Sequence, residues 1–496
     1  MKKRINRKLY GLIVLIFIAV FKIKGQSITY KKQPNILFLL TDDQSFNTIN
    51  ALGNKEVFTP NMDKLVAEGT VFTHAHIMGG NTGAICMPSR AMIMTSNYVN
   101  NLDYSSKGAI GAGEVTLPEA LKNAGYETFG TGKWHNSAPS FAKSFTDGDN
   151  IFMGGMGNHR KVPVHKFDST GKYKKNQAST SDTFSSVLFA DAAIHKLESY
   201  TKEKPFFMYV AFSSPHDPRM APKEYVAKYN TDEISLPKNF MPKHPFDNGE
   251  LIIRDENLLP FPRTEIAVKE EIASYYAMIS EVDANIGRIL LALEKSGELD
   301  NTIVILAGDN GLAVGQHGLI GKQNIYDHSI RVPLIFKGPG IHKGTSSSSL
   351  VYLNDLYPTI TELTGVTNPK KLDGVSLVPI LKDTDVEVRE SVYFLYKNFQ
   401  RGVRTKDWKL IQYLVQGKKT TQLFQIQKDP LEMNNLAEDS RYTEKLKEMN
   451  TLLQKWIIKG GDHVELAKTD WGVPVISSWV TDRLAKGKSI DFSGVH

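Results

Sequence analysis

Four short stretches spread along a chain of 496 residues share one design, and together they restrict the fold more than any other feature. Residues 35–40 (NILFLL) run into TDDQ, 127–130 (ETFG) into TGKWH, 205–212 (PFFMYVAF) into SSPHDP, and 302–307 (TIVILA) into GDNG. Three of the four are unbroken apolar runs of strand length, the pattern of parallel strands covered on both faces. ETFG is weaker and is read as a strand from its surroundings. Helical patterns lie between the strands. One starts with Thr59 as N-cap and Pro60 behind it and stops at Gly69; a second runs from Thr116 to Gly125; a long amphipathic one spans 270–297. This alternation predicts an α/β fold with a mostly parallel central sheet and helices on both faces. Past residue 390 the style changes. RGVRTKDWKLIQYL and TQLFQIQ read as antiparallel strands, KDPLEMNNL as a turn, and YTEKLKEMNTLLQKWI as a closing helix.

The N-terminus bears on how charge is counted. MKKRINRK is basic, Leu9 to Phe21 is one apolar run shorter than a bilayer span, and Gly25 is a small residue near a cleavage point. Residues 1–25 therefore read as a signal peptide, with an uncleaved anchor as the alternative. No cysteine follows the apolar run, which argues against lipid attachment there. Removal takes seven of the 60 basic residues and leaves their number equal to that of the 53 acidic ones. The basic pI thus belongs to the leader and does not indicate a nucleic-acid partner. The expected organisation is 1–25 signal peptide, 26–390 main α/β domain, and 391–496 a smaller α+β subdomain with an antiparallel sheet. Localisation is expected to be exported, periplasmic or secreted, with no stable membrane association after cleavage.

Open α/β sheets bind ligands at the carboxyl ends of their strands, so the four polar clusters should converge. Asp42 and Asp43 follow one strand, and Asp309 and Asn310 another. Four oxygen donors suit a hard cation, Ca2+ or Mg2+, whereas the alternative is ordinary turn capping. Cys86, the one cysteine in the chain, has no intrachain disulfide partner. It precedes SRAMIMT, which reads as a helix. A thiol at a helix N-terminus is expected to have a depressed pKa and to be reactive; the alternative is a small buried hydrophobe.

Cys86-Met-Pro-Ser-Arg90 resembles the C-x-P-S-R motif of the type I sulfatases, of the alkaline-phosphatase-like superfamily. The likeness extends in order to NILFLLTDDQ, TGKWH, SSPHDP, GDNGLAVGQHGLIGKQNIYDHSIRVPLI, RGVRTKDWKLI and LFQIQKDPLEMNNLA, covering about 30 to 460. One departure stands out: Ser96 follows Thr95 where the family usually has glycine. The resemblance implies that Cys86 is converted to Cα-formylglycine by a formylglycine-generating enzyme, and that its hydrate attacks sulfur. It implies Ca2+, with Mg2+ as the alternative, held by Asp42, Asp43, Asp309, Asn310 and residue 86. Arg90 would orient the formylglycine. Lys133 and Lys322 would bind sulfate oxygens. His135 would be the base for sulfate release, and His216 would protonate the leaving alcohol.

His317 beside Gly318 is open between substrate contact and structural residue. His74, His76, His159, His165, His195, His244 and His328 read as structural, and Trp134 as loop packing. The polar stretch from Asn158 to Ser181 reads as an insertion, and loops 146–180 and 240–264 as the place where specificity diverges. The implied substrate is a sulfated polysaccharide or its oligosaccharides, such as ulvan, carrageenan or a glycosaminoglycan. The alternatives are a phosphonate or phosphodiester hydrolase of the same superfamily, or an inactive sulfate-binding protein with an unmodified Cys86.

Overall fold

The computed structural model describes residues 32–104, 108–472 and 478–490; the expected signal peptide lies outside them. Among the described residues no helix is long and apolar enough to cross a membrane.

The first apolar run forms the strand Asn35–Thr41, every residue of which is buried. It pairs in parallel with Phe206–Ala211 on one side and Thr302–Gly308 on the other. Glu127–Lys133 adds in parallel beyond 206–211, and Asp147–Phe152 beyond that. The weak ETFG stretch is thus a seven-residue strand, held between two neighbours and ending on Lys133. On the far side Leu334–Lys337 pairs antiparallel with 302–308, and Thr70–Phe72 and Thr345–Ser347 complete eight strands.

Because side chains alternate across a strand, 35–41 feeds two separate cores. Ile36, Phe38 and Leu40 pack with residues of the helices Cys86–Thr95, Leu117–Asn123 and Leu356–Thr364. Leu37 and Leu39 pack with residues of Pro60–Glu68, Ser185–Glu198 and Glu265–Lys295. Helices on both faces follow from that partition.

Helix ends show where tertiary contacts intervene. Leu117–Asn123 begins with a capping box between Thr116 and Glu119. Thr59 does not cap 60–68. Its hydroxyl accepts from Asn50 N–H instead, and the free N–H groups of Asn61 and Met62 go to the Asp283 carboxylate at 3.1 and 2.7 Å. The long helix starts at Glu265, earlier than its apolar pattern predicts, because Thr264 accepts from the Ala267 N–H.

Val392–Tyr396, Gln400–Arg404, Trp408–Val415 and Lys418–Gln425 form an antiparallel sheet, backed by the helix Thr443–Lys459. Gly79–Gly80, a few residues before Cys86, joins its edge in parallel with 392–396. Lys409 bonds Asp327 at 2.9 Å and Glu432 at 2.5 Å, and Arg404 also grips Asp327. These buried pairs tie the C-terminal sheet to the segment that follows Asp309.

Candidate active site

The carboxyl ends of the central strands carry the chemistry. Asp42 and Asp43 leave strand 35–41, Asp43 in the left-handed region at φ 63°. Asp309 and Asn310 leave 302–308, and Lys133 ends 127–133. His135 follows two residues later, also left-handed at φ 55°. His216 follows 206–211. Non-glycine residues with positive φ are uncommon and cluster where a site dictates the backbone.

Cys86 is the first residue of its helix, rather than lying just before it, and is buried. Its Sγ lies 2.9 Å from Lys322 Nζ and 3.5 Å from an Asp43 oxygen. The expectation of a depressed thiol pKa fails: burial, with Asp42 adding to it, pushes the thiol well above its ordinary value against the opposing pull of Lys133 and Lys322. Removal from water outweighs the helix N-terminus.

One turn on, Arg90 is buried. Its Nε bonds Asp309 at 2.8 Å, and its Nη1 donates to the Lys133 carbonyl at 2.5 Å. Lys133 Nζ bonds Asp42, and Lys322 Nζ bonds both Asp43 oxygens at 2.6 and 2.9 Å. Three buried carboxylates therefore face three buried cations. Burial raises Asp42 and Asp43, but His216 and the lysines prevail and hold both below the usual carboxylate range. Asp309 goes the other way, pushed up to about 6 by burial and by Asp42.

The oxygen donors fit a hard cation. Asp42 Oδ1 and Asn310 Oδ1 are buried without a hydrogen-bond partner, and such orphans are costly unless something else satisfies them. Asn310 Nδ2 and the Asp43 N–H are used within the cluster, on Asp43 Oδ1 and Asp309 Oδ1. Asp42, Asp43, Cys86 and His216 bring ligand atoms within 4.8 Å of one another. Oxygen-rich sets favour Ca2+ or Mg2+, so Asp309 and Asn310 match the cluster better than the imidazole of His216 does.

His216 Nε2 faces Asp43 at 3.6 Å, while Nδ1 is tied to the Asp217 carbonyl at 2.8 Å and lies 3.2 Å from its carboxylate. His159 Nε2 pairs with the His216 carbonyl at 2.9 Å, so this structural histidine supports the site from behind. His135 has an unpartnered buried Nδ1 and packs beneath Gly155. Burial, then Lys133 and Arg90, hold its pKa well below the ordinary value, which leaves a neutral imidazole. Trp134 donates to Ser137 O and Ser140 Oγ and packs edge-on to Phe141.

The structure brings together Asp42, Asp43, Cys86, Arg90, Lys133, His216, Asp309, Asn310 and Lys322, with His135 beside Lys133. It does not bring in His317. That ring stacks on Tyr326 at 4.0 Å, and its Nε2 pairs with the Glu432 carbonyl. Asp217 and Gln323 lie inside the SSPHDP and GDNG…GKQN stretches, and Arg254 and Asp255 in loop 240–264, but sequence alone assigned none of the four a role; the structure lines them up behind His216 and Lys322.

Residues 34–366 match the family model described as Sulfatase. The chain belongs to the sulfatase family. Residues 315–459 match the C-terminal model of N-sulphoglucosamine sulphohydrolase. This sulfatase is 28% identical to the N-acetylglucosamine-6-O-sulfatase of Bacteroides thetaiotaomicron, over 86% of either chain. It is 26% identical to the ulvan-active sulfatase of Formosa agariphila, over 87% of this chain and 82% of that one. A solved structure bound to its substrate D-glucosamine-2-N,6-O-disulfate superposes with a TM-score of 0.74 at 27% identity, covering 87% of this chain and 98% of the other. The sulfatase fold and its place in the alkaline-phosphatase-like superfamily stand on these likenesses, and the enzyme is a sulfuric ester hydrolase.

Proposed function

We propose that this sulfatase removes sulfate from a sulfated carbohydrate outside the cytoplasm, using a formylglycine made from Cys86 by a formylglycine-generating enzyme, with Ca2+ or Mg2+ held by Asp42, Asp43, Asp309 and Asn310. The observation that carries this is the placement of Cys86 Sγ between Lys322 Nζ and the Asp43 carboxylate at the mouth of the central strands. The saccharide assignment rests on the relatives that act on N-acetylglucosamine-6-O-sulfate and on ulvan. Export rests on the leader-like residues 1–25.

Hydrated formylglycine supplies a geminal diol, one hydroxyl for attack on sulfur and a second that lets sulfate leave with return of the aldehyde. The cation supplies Lewis-acid charge stabilisation. Lys133 and Lys322 bring two buried ammonium groups to the sulfate oxygens and stabilise the charge that develops there. Burial works against the charge on Lys322, but the Asp43 carboxylate raises its pKa well above the ordinary value, so it stays protonated. Arg90 fixes the first turn of the helix against Asp309 and Lys133. His216, with Nδ1 engaged by Asp217, keeps Nε2 for protonating the leaving alcohol. Neutral His135 is suited to accept the proton released when sulfate departs.

The test is the peptide mass of residue 86 in protein from its native host, with a hydrazine probe for aldehyde, beside sulfate release from a panel of sulfated oligosaccharides and matched phosphate esters. An unmodified thiol in active enzyme, or full activity in Cys86→Ser, would overturn the formylglycine account.

A further inference from the structure

We propose that Arg254 is a positioning residue that holds the ring of His216 and the loop of Lys322 in register. The proposal rests on the reading of His216 as proton donor. Behind His216 stands the Asp217 carboxylate, 3.2 Å from Nδ1. Arg254 grips that carboxylate with both arms of its fork, at 2.7 and 2.8 Å. The same guanidinium bonds Asp255 through Nε at 2.9 Å and Nη2 at 2.6 Å. The other Asp255 oxygen accepts from Gln323 Nε2 at 2.7 Å. Gln323 also donates to Gly83 O at 2.9 Å, three residues before Cys86, and its Oε1 accepts the Lys322 N–H at 3.0 Å. One planar cation therefore joins the proton-donor loop, the lysine loop and the approach to Cys86.

Arg254 has both arms and its Nε taken by two carboxylates, and its Nη1 also reaches Met156 Sδ. It is a brace, not a docking charge for the sulfate. Burial opposes its charge, but Asp255 and Asp217 keep it protonated beyond the normal arginine range. The backbone of His216 has a separate support in His159. Loss of Arg254 should leave the loop in place and free the ring to rotate. A lysine, a point charge on a flexible stem, cannot reproduce two simultaneous forks.

The experiment uses full-length, matured enzyme with 4-nitrophenyl sulfate and phenyl sulfate, which share the sulfate but differ in how much the leaving oxygen needs a proton. Arg254→Met should lower kcat on phenyl sulfate by about 10- to 100-fold, the range for loss of outer support to a catalytic group, with 4-nitrophenyl sulfate within about 3-fold and KM little altered. Arg254→Lys should fall between. Asp217→Asn, which keeps the shape and removes the charge that Arg254 grips, should repeat the selective loss, and it decides the matter if Arg254→Met does not fold. Equal losses on both esters, or no loss on either, would overturn the brace. His216→Ala separates the two layers. A selective loss there with none in Arg254→Met or Asp217→Asn sinks the brace alone. Equal losses in His216→Ala sink the proton-donor reading and the brace with it.

Discussion

Lys322 reaches back across 236 positions of sequence to place its Nζ 2.9 Å from the Sγ of Cys86. The same ammonium is bonded to both oxygens of buried Asp43. Removing it takes away a donor for the transferring group and leaves a buried carboxylate with one counter-charge fewer. Lys322→Met should lower kcat by about 100-fold or more. It should also cost about 3–5 kcal/mol in urea unfolding measured without added cation. A variant with wild-type turnover would remove Lys322 from the chemistry.

Cation binding should be visible as stability. Asp42 Oδ1 and Asn310 Oδ1 are buried without a hydrogen bond, so an ion that binds only the folded state should raise Tm and add stability that grows with the logarithm of its concentration, about 2.7 kcal/mol at a hundredfold excess over Kd. Asn310→Ala should reduce that gain. Calorimetric scans in EDTA and in CaCl2 or MgCl2 would settle it, and identical scans would count against the site.

The pH dependence of stability should carry a signature of Glu281, a buried carboxyl of the helix Glu265–Lys295. Burial raises its carboxyl from 4.5 to about 8, with hydrogen bonds from Ser186 and Asn285 offsetting part of the effect. Between those values the unfolded chain holds fewer protons than the folded one, so stability falls as pH rises from 4.5 through 8. The loss is on the order of 4 kcal/mol. Glu281→Gln should flatten this slope relative to wild type in urea titrations at pH 5 and pH 9. Parallel profiles for the two proteins would disprove it.

Gly155 lies against the imidazole of His135. A Cβ added there would sit 2.2 Å from Nε2 and 2.6 Å from Cε1. Gly155→Ala should displace the ring and lower kcat by roughly 10- to 100-fold, with a stability cost of about 1–3 kcal/mol. Unchanged kcat would show that His135 tolerates displacement and is no base.

His317 should behave as a packing residue. His317→Ala loses the stack on Tyr326 and the bond to Glu432 O, which should cost about 1–2 kcal/mol with kcat/KM unaltered. A raised KM with unaltered Tm would restore it as a substrate contact.

The strand and helix pattern was legible because burial on one or both faces imposes a local period on the chain. NILFLL and TIVILA announce central strands, and Thr116 with Gly125 brackets a helix. The polar clusters after those strands located the candidate cation ligands for the same reason, since Asp42, Asp43, Asp309 and Asn310 each sit one or two residues past a strand end, whereas Lys322, fourteen positions beyond the strand 302–308, was reached only through the family resemblance. Thr59 shows the limit. The residue type was right for a cap, but Asp283, 222 positions away, took the N–H of Asn61.

Sequence alone determined four of the eight strands of the main sheet and the polar residues that follow them, because these are properties of neighbours along the chain. Tertiary structure decided which cation meets which carboxylate, which oxygens are left without partners, that burial overrides the helix end at Cys86, and that Arg254 stands behind both His216 and Lys322. Those outcomes depend on buried groups brought together from separate loops, where close charge pairs are only weakly screened by solvent, and no local pattern in the chain records them.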